Sequence, residues 1–279
     1  MSDVSGVSCS HYFKESKEEI DMLMRNYVKE RLVKRGYALG AFVASGSAMN
    51  CECLGLNGMD FVLIDAEHAQ TNTETMVDMA RACEMYEMAA LVRVYDPYDY
   101  PMMSRLLDVG IHGLMVPMVE SAEQAKKIID AVKYAPLGKR GANGGRGPRW
   151  GAYENYTVQS NEALYTIMQC ETRNGVENIE AICQTPGLDC VFIGTADLSQ
   201  DMGHPGDVNH PEVVEAVDRV LAACQKYHIV PGIVTGTETA CIKRIKQGFQ
   251  LVTCLNDQGF FRSESKKRIE AVWEGAAAK

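Results

Sequence analysis

Short runs of large apolar residues recur along the chain, and between them apolar residues return at spacings of three and four positions. The first pattern is typical of a buried strand in a parallel sheet, and the second is typical of an amphipathic helix. The apolar runs predict strands at residues 38–44, 61–64, 90–94, 113–117, 165–170, 190–194, 229–234 and 251–255. The helical spacing predicts helices at residues 73–87, 100–110, 121–135, 174–185, 211–227 and 237–248.

Strands that alternate with helices in this way predict an α/β fold. A (β/α)8 barrel, the TIM barrel, and a doubly wound open sheet share the local pattern, and the count of eight strands favours the barrel. We predict one barrel domain over residues 35–279. Residues 1–34 predict a helical N-terminal extension that either plugs the bottom of the barrel or contacts a neighbouring chain; its sequence assigns it no chemistry.

Charge narrows the set of partners. The formal net charge is -9, whereas nucleic acids and anionic membranes are bound by basic surfaces, so we expect neither partner. Small molecules or further copies of the chain are favoured instead. The sequence contains no apolar run typical of a signal peptide and no stretch of about 18 apolar residues, which favours a cytoplasmic protein.

The chain has ten cysteines, yet no C-x-x-C motif. Most of them lie inside apolar segments, which predicts buried free thiols in a reducing compartment. Cys51 and Cys53 come nearest to a chelating motif. They lack the second pair of ligands that structural zinc normally needs.

Polar side chains follow several of the predicted strands. In a TIM barrel the functional residues stand at the carboxyl ends of the strands, and polar groups are costly to bury unpaired. We therefore expect these residues to share one cavity: Asp65, Glu67 and His68 after strand two, Arg93 in strand three, Gln169 and Glu171 at strand five, and Gly194, Thr195, Ala196 and Asp197 at strand six.

Glu171 and Asp197 lie one βα repeat apart, on neighbouring strand ends. Two carboxylates without a nearby cysteine or second histidine favour a hard divalent cation, Mg²⁺ or Mn²⁺, with Co²⁺ or Zn²⁺ as further candidates. Water and substrate would complete the coordination. The alternative is that both carboxylates only cap the helices that follow them.

Arg93 and His68 each have two interpretations. An arginine inside a strand needs an anionic partner, which is either Asp65 or Glu67 in the same chain or a substrate carboxylate or oxyanion. His68 is the histidine within the acidic cluster, and it is either a hydrogen-bonded core residue or a catalytic group.

The longest gap between two predicted strands runs from strand four to strand five, and it contains residues 137–156, which are rich in glycine and basic residues. Such a loop is either mobile or wrapped around a ligand. The glycine-rich run at 141–147 follows a helix rather than a strand, which disfavours a phosphate cradle. Motifs of serine hydrolases, P-loop NTPases and Rossmann oxidoreductases are not found.

The chain contains, in this order, the segments IDAEHA, LVRV, LLDVGIHGLMVPMVESAEQA, YAPLGKRG, RWGAYENY, QCET and VFIGTADLS. Together they closely resemble the class II, metal-dependent pyruvate aldolases of the HpcH/HpaI type. These include the 4-hydroxy-2-oxoheptanedioate and 2-keto-3-deoxy sugar acid aldolases. The resemblance covers about residues 36–260. It implies a lyase that reversibly cleaves a 4-hydroxy-2-oxo acid into pyruvate, or a close 2-oxo acid, and an aldehyde.

The resemblance also implies residue roles. Glu171 and Asp197 match the metal ligands, and Gln169 with the backbone around Ala196, from Gly194 to Asp197, matches the positions that hold the pyruvyl unit. No lysine stands at a strand end in this cluster, which disfavours a Schiff-base aldolase.

His68 matches the residue that acts as the catalytic base or positions it, and Arg93 matches the group that stabilises the developing enolate. Asp108 matches an acid that reaches the histidine of a neighbouring subunit and makes it more basic, with Asp65 in the same polar network. Members of the family are typically hexamers built from dimers that exchange their last helix. The segment FFRSESKKRIEAVWEG is therefore expected to pack on another chain.

Three departures concern the substrate. The family usually has proline at Thr195 and glycine at Ala66, and the loop before RWG is shorter and richer in glycine here; such loops help to choose the aldehyde. Other functions stay open on the same barrel. They are an acyl-CoA lyase of the citrate lyase beta type, for which Arg140, Arg146 and Arg149 offer basic contacts, an oxaloacetate decarboxylase, and a keto-acid-binding barrel without turnover.

Overall fold

The computed structural model describes residues 24–277, in which eight parallel strands close into a barrel. Each strand pairs with the next along the chain, and the last pairs with the first, so the barrel prediction is confirmed. All eight predicted strands are present to within one residue at each end. They are β1 (Ala38–Val43), β2 (Phe61–Asp65), β3 (Ala89–Arg93), β4 (Gly113–Val116), β5 (Tyr165–Cys170), β6 (Cys190–Ile193), β7 (Val230–Val234) and β8 (Leu251–Asn256).

Helices surround the barrel. Several begin at a side-chain cap of the type that satisfies the free N–H groups of a first turn, as Ser47 and Asn72 do. The helices are α1 (Tyr27–Arg35), α2 (Ala48–Leu56), α3 (Thr73–Glu84), α4 (Tyr100–Asp108), α5 (Ala122–Val132), α6 (Tyr156–Ala163), α7 (Arg173–Glu177), α8 (Ile179–Cys183), α9 (Thr195–Asp201), α10 (Pro211–Tyr227), α11 (Glu238–Gln247) and α12 (Asp257–Ala277).

Alternate residues of each strand face opposite sides of the sheet. In β2, Phe61 and Leu63 point into the barrel and form an inner core with residues of the other strands. Val62 and Ile64 point outward and pack in a second core beneath the helices. The barrel is therefore filled with side chains, and a site can open only where the inward alternation reaches a strand end.

The two ends of the barrel have different environments. We call the carboxyl ends of the strands the mouth and their amino ends the base. Helix α1 lies at the base, where Val28 is buried in the inner core. Most of the predicted extension, residues 1–23, lies outside the described residues. Within residues 24–277, no helix has both the length and the apolar character that crossing a bilayer requires.

The glycine-rich segment lies at the base as well. It connects the end of α5 to α6, and the N–H of Gly147 donates to the carbonyl of Asp108 at the end of α4, 2.8 Å away. In a single chain it therefore lies at the end of the barrel opposite the mouth. Buried thiols are as expected, but Cys51 is buried and Cys53 is exposed, so the two do not share one environment.

Candidate active site

The inward alternation ends in polar residues on three strands. Asp65 follows Phe61 and Leu63 at the end of β2, and Arg93 is its partner in the register of β3. Gln169 occupies the equivalent inward position near the end of β5. All three side chains are buried. These three residues, which were expected to lie together at the mouth, thus belong to one inward-facing layer of the barrel.

Arg93 is bound by two carboxylates of its own chain. Its Nε and Nη2 donate to the two oxygens of Asp65 at 3.0 and 2.8 Å, and its Nη1 lies 3.0 Å from Oε2 of Glu67. The guanidinium also lies over the ring of Phe42, 5.0 Å from its centroid. Burial lowers the pKa of Arg93, but Asp65 and Glu67 outweigh it and leave the pKa raised. Arg93 is a fixed positive charge at the mouth.

His68 faces solvent beside this pair. Its side chain is 63% exposed, so the interpretation as a core histidine is wrong. Asp65 accepts the backbone N–H of both Glu67 and His68, which holds the turn after β2. Nε2 of His68 lies 3.8 Å from Oε2 of Glu67. Burial raises the pKa of Glu67, although Arg93 and His68 both oppose the shift.

Glu171 lies deeper in the mouth and is only 2% exposed. Its Oε1 accepts the N–H of Met118 at 2.9 Å, and its Oε2 contacts the amide nitrogen of Gln169. Burial raises its pKa to about 7; the N–H of Met118 opposes this, whereas Asp197 adds to it. The backbone of Gly194 passes close to this carboxylate, because a Cβ at that position would lie 2.5 Å from Oε2 of Glu171.

Asp197 stands in the first turn of α9 and is exposed at the mouth. The cap of α9 is Gly194 and has no side-chain hydrogen bond, while α7, which follows Glu171, is capped by Thr172. The interpretation of both carboxylates as helix caps is therefore wrong. Thr195 and Ala196, the other predicted contact positions, begin α9 beside Asp197.

The donor set fits a divalent cation. Among residues 24–277, no lysine or arginine forms an ion pair with Glu171 or Asp197. In addition, Oε1 of Gln169 is buried without a hydrogen-bond partner. Burying an uncompensated carboxylate is costly, and a hard cation with oxygen ligands relieves that cost. Glu171 and Asp197 are the residues that would hold it.

Asp108 lies at the base. Its Oδ1 accepts from Nη2 of Arg140 and from the amide of Asn143, both at 2.6 Å, and the Arg140 side chain is 0% exposed. Because α4 runs from the mouth back to the base, Asp108 cannot approach the His68 of its own chain. Asp108 of one chain could contact His68 only if that histidine belonged to a second chain.

The other basic residues of the loop also lie at the base. Arg146 and Arg149 both pair with Glu84, at 3.0 and 2.8 Å, and His112 lies 3.3 Å from the same carboxylate. Burial raises the pKa of Glu84, but His112 and the arginines outweigh it and lower the pKa to about 2. The three arginines considered as contacts for coenzyme A, Arg140, Arg146 and Arg149, are thus paired with acids of the same chain. They are also remote from the mouth of their own chain.

Arg93 was expected to pair with Asp65 or Glu67 if its partner was in the same chain, and it pairs with both. Two contacts at the mouth were not predicted: that of Glu67 with His68, and that of Glu171 with the backbone N–H of Met118, which leaves no signal in the side-chain pattern. A separate group lies between α9 and α10, where ligand atoms of His204, His210 and Glu212 come within 4.8 Å of one another. The two imidazole rings are stacked there, with centroids 3.4 Å apart.

The chain is similar in sequence and in fold to known proteins. The chain is 38% identical to a hydroxypyruvate/pyruvate aldolase of Chromohalobacter salexigens, over 84% of this chain and 91% of the relative. It is 35% identical to a 5-keto-4-deoxy-D-glucarate aldolase of Klebsiella pneumoniae, over 88% and 96%. A crystal structure of an HpcH/HpaI aldolase/citrate lyase family protein from Burkholderia cenocepacia superposes with a TM-score of 0.83 at 30% identity, covering 88% of this chain and 99% of the other.

A family model matches residues 38–261, from the first residue of β1 into α12. The family is described as HpcH/HpaI aldolase/citrate lyase. This span contains all eight strands and every residue of the mouth described above. The chain therefore belongs to the HpcH/HpaI aldolase/citrate lyase family.

Proposed function

We propose that this protein is a metal-dependent class II aldolase that reversibly cleaves a 4-hydroxy-2-oxo acid into pyruvate, or a close 2-oxo acid, and an aldehyde. The observation that carries the proposal is the buried carboxylate of Glu171, which has no cationic side chain in contact within residues 24–277 and shares its mouth with the fixed charge of Arg93. Membership of a family whose curated relatives are named aldolases supports it.

The site suits a 2-oxo acid. A divalent ion held by Glu171 and Asp197 would act as a Lewis acid toward the 2-oxo and carboxylate oxygens, with Mg²⁺ or Mn²⁺ favoured by the oxygen donors. The amide of Gln169 and the backbone from Gly194 to Asp197 form the wall beside these carboxylates. These groups orient the pyruvyl part of the substrate.

The proton and the electron pair go to different groups. His68 is solvent-exposed at the rim and takes the proton of the C4 hydroxyl, for which an imidazole is well suited near neutral pH. The bond between C3 and C4 then breaks, the aldehyde leaves, and the electron pair passes into the pyruvate enolate. Arg93 supplies a fixed positive charge where the negative charge develops.

A homo-oligomer is part of the proposal. Helix α12 exposes Phe261 at 76% and Trp273 at 70%, together with Phe260, Ile269 and Val272. A helix with this much exposed apolar surface is typical of an interface. Packing against a second copy would cover this surface. Asp108 lies at the base and His68 at the mouth, which favours an active site shared between chains.

We further propose a helical extension before the barrel domain and a cytoplasmic location. The buried free thiols favour that location.

The proposal is tested by pyruvate release from a panel of 4-hydroxy-2-oxo acids, with Mn²⁺ or Mg²⁺ present, and by condensing pyruvate with a panel of aldehydes. We expect turnover in both directions, unaffected by prior treatment with pyruvate and borohydride, since that treatment traps only Schiff bases. Cleavage of malyl- or citramalyl-type thioesters without cleavage of free acids would favour the acyl-CoA lyase instead. Tight binding of oxamate without turnover of any substrate would favour a non-catalytic barrel.

A further inference from the structure

Glu67 contacts both Arg93, the fixed cation of the proposed reaction, and His68, its proposed base. Its Oε2 lies 3.0 Å from Nη1 of Arg93 and 3.8 Å from Nε2 of His68. One oxygen therefore stands between the cation that would stabilise the enolate and the base that would take the proton. Neither Asp65, which does not contact the imidazole, nor Asp108, which lies at the base, has this position in the chain.

The two carboxylates bound to Arg93 differ in how firmly they are held. Asp65 is buried, and it accepts hydrogen bonds from Nε and Nη2 of Arg93 and from two backbone N–H groups. Glu67 is half-buried, and within residues 24–277 its carboxylate contacts only Arg93 and His68. Asp65 is therefore the fixed partner of Arg93, and Glu67 is the carboxylate that is free to move.

We propose that Glu67 is a positioning residue that exchanges partners during the reaction, from Arg93 in the resting enzyme to His68 once the imidazole has taken the substrate proton. This inference rests on the proposed function. Its effect is to release Nη1 of Arg93 for the negative charge of the enolate at the stage when the new imidazolium needs a counter-ion.

The charges around Glu67 support this exchange. Before the reaction, Arg93 carries one positive charge against the two carboxylates of Asp65 and Glu67. Proton transfer adds a positive charge to His68 and a negative charge to the substrate, so the oxygen that was best placed beside Arg93 becomes better placed beside His68. The other charged groups that act on Glu67 are Asp65 and Asp197, and Glu67 also acts on Glu171. All three are acids, but within residues 24–277 none of them pairs with both Arg93 and His68.

Glu67→Gln tests the exchange, because glutamine keeps the size and the oxygen but loses the charge. We expect kcat to fall about 10- to 100-fold, which is part of the roughly 10²- to 10⁴-fold that a general base contributes, while KM changes less than about threefold. The acidic limb of the pH profile of kcat/KM should move about half a pH unit lower. Glu67→Asp should keep the profile of the wild type at a reduced kcat, and Glu52→Gln, on the exposed face of α2, should match the wild type.

A kcat within about twofold of the wild type in Glu67→Gln, or a raised KM with kcat intact, would overturn the exchange. A readout that needs no turnover is the ring chemical shift of His68 followed against pH by NMR. We expect its midpoint to fall in Glu67→Gln, and equal midpoints in the folded variant and the wild type would refute the coupling. If the midpoint falls but neither protein turns over any substrate, the coupling stands and the aldolase proposal is the part that fails.

Discussion

The mouth and the base of the barrel each hold a partly or fully buried glutamate, and the two glutamates have opposite electrostatics. At the base, Glu84 is surrounded by His112, Arg146 and Arg149, and its pKa is lowered to about 2. At the mouth, burial and the neighbouring Asp197 raise the pKa of Glu171 to about 7. Burial acts in the same direction on both, so the neighbouring charges account for the difference.

This comparison separates a structural cluster from a functional one. At the base, the carboxylate of Glu84 pairs with cationic side chains of the same chain and contributes to the stability of the fold. The mouth holds four acids, Asp65, Glu67, Glu171 and Asp197, against Arg93 as the arginine paired there. A buried acid without a cationic partner is a recognised mark of a functional site, and we propose that a divalent cation supplies the missing positive charge.

Replacing Glu171 should have the largest effect. We expect Glu171→Gln to lower kcat/KM for aldol cleavage at least about 10³-fold, because a metal's stabilisation of the transition state amounts to several kcal/mol. Pyruvate release measured under excess Mn²⁺ checks this. The matched control is Glu123→Gln on the exposed surface of α5, which should retain wild-type activity. Comparable activity in the two variants would remove Glu171 from the chemistry.

The corresponding change at the base should act on stability. We expect Glu84→Gln to lower the free energy of unfolding by about 2–3 kcal/mol at pH 7, because it leaves Arg146 and Arg149 without their carboxylate. The pKa of Glu84 is lowered, so its contribution is fully present above about pH 4.5 and is lost as the pH falls toward 2. Urea unfolding at pH 7 and pH 3 checks both points. An equal loss at the two pH values would contradict the charge-based explanation.

At the mouth the stability effect should have the opposite sign. The pKa of Glu171 is raised above its unfolded value of 4.5 to about 7, so the charged form destabilises the metal-free fold, and stability declines as the pH rises through that interval. We expect Glu171→Gln to raise the free energy of unfolding at pH 8 in EDTA by about 1–2 kcal/mol. Urea unfolding of the variant and the wild type at pH 8 in EDTA measures this difference. A destabilised variant would show that Glu171 is not an uncompensated charge.

Proton competition should also make the metal affinity of the mouth depend on pH. A carboxylate must lose its proton to bind a metal, and the pKa of Glu171 is raised to about 7. Affinity for Mn²⁺ should therefore be nearly constant above pH 8 and should fall about tenfold per pH unit below pH 6. Titration calorimetry between pH 5 and pH 9 measures this dependence. A flat profile across the whole range would contradict the assigned pKa shift.

The regular part of the molecule could be predicted from the sequence because its signals are local. The strands of a closed parallel barrel are continuous apolar runs, and all eight were recognised. Helix α2 was missed because its apolar and polar residues are not segregated on two faces. The segment 174–185 was expected to be one helix, but it breaks at Asn178 into α7 and α8, where Asn178 ends one helix and begins the next.

The sequence predicted which polar residues meet at the mouth and named Asp65 and Glu67 as alternative partners of Arg93, but it did not predict the individual atomic contacts. The polar residues at the ends of β2, β3 and β5 were identified because inward alternation carries them to the mouth. Which carboxylate binds which nitrogen of Arg93 depends on turn geometry after β2, which a single sequence does not encode locally. The position of Asp108 at the base follows only once the direction of α4 is known.

The central claim is that Glu171 and Asp197 hold a metal ion on which aldol cleavage depends. The direct measurement is pyruvate release from a 4-hydroxy-2-oxo acid by protein stripped with EDTA, before and after Mn²⁺ or Mg²⁺ is added. We predict background activity in the stripped protein, restoration on adding metal to the wild type, and no restoration in Glu171→Gln. Full activity in the stripped wild-type protein, verified to be free of metal, would contradict the account.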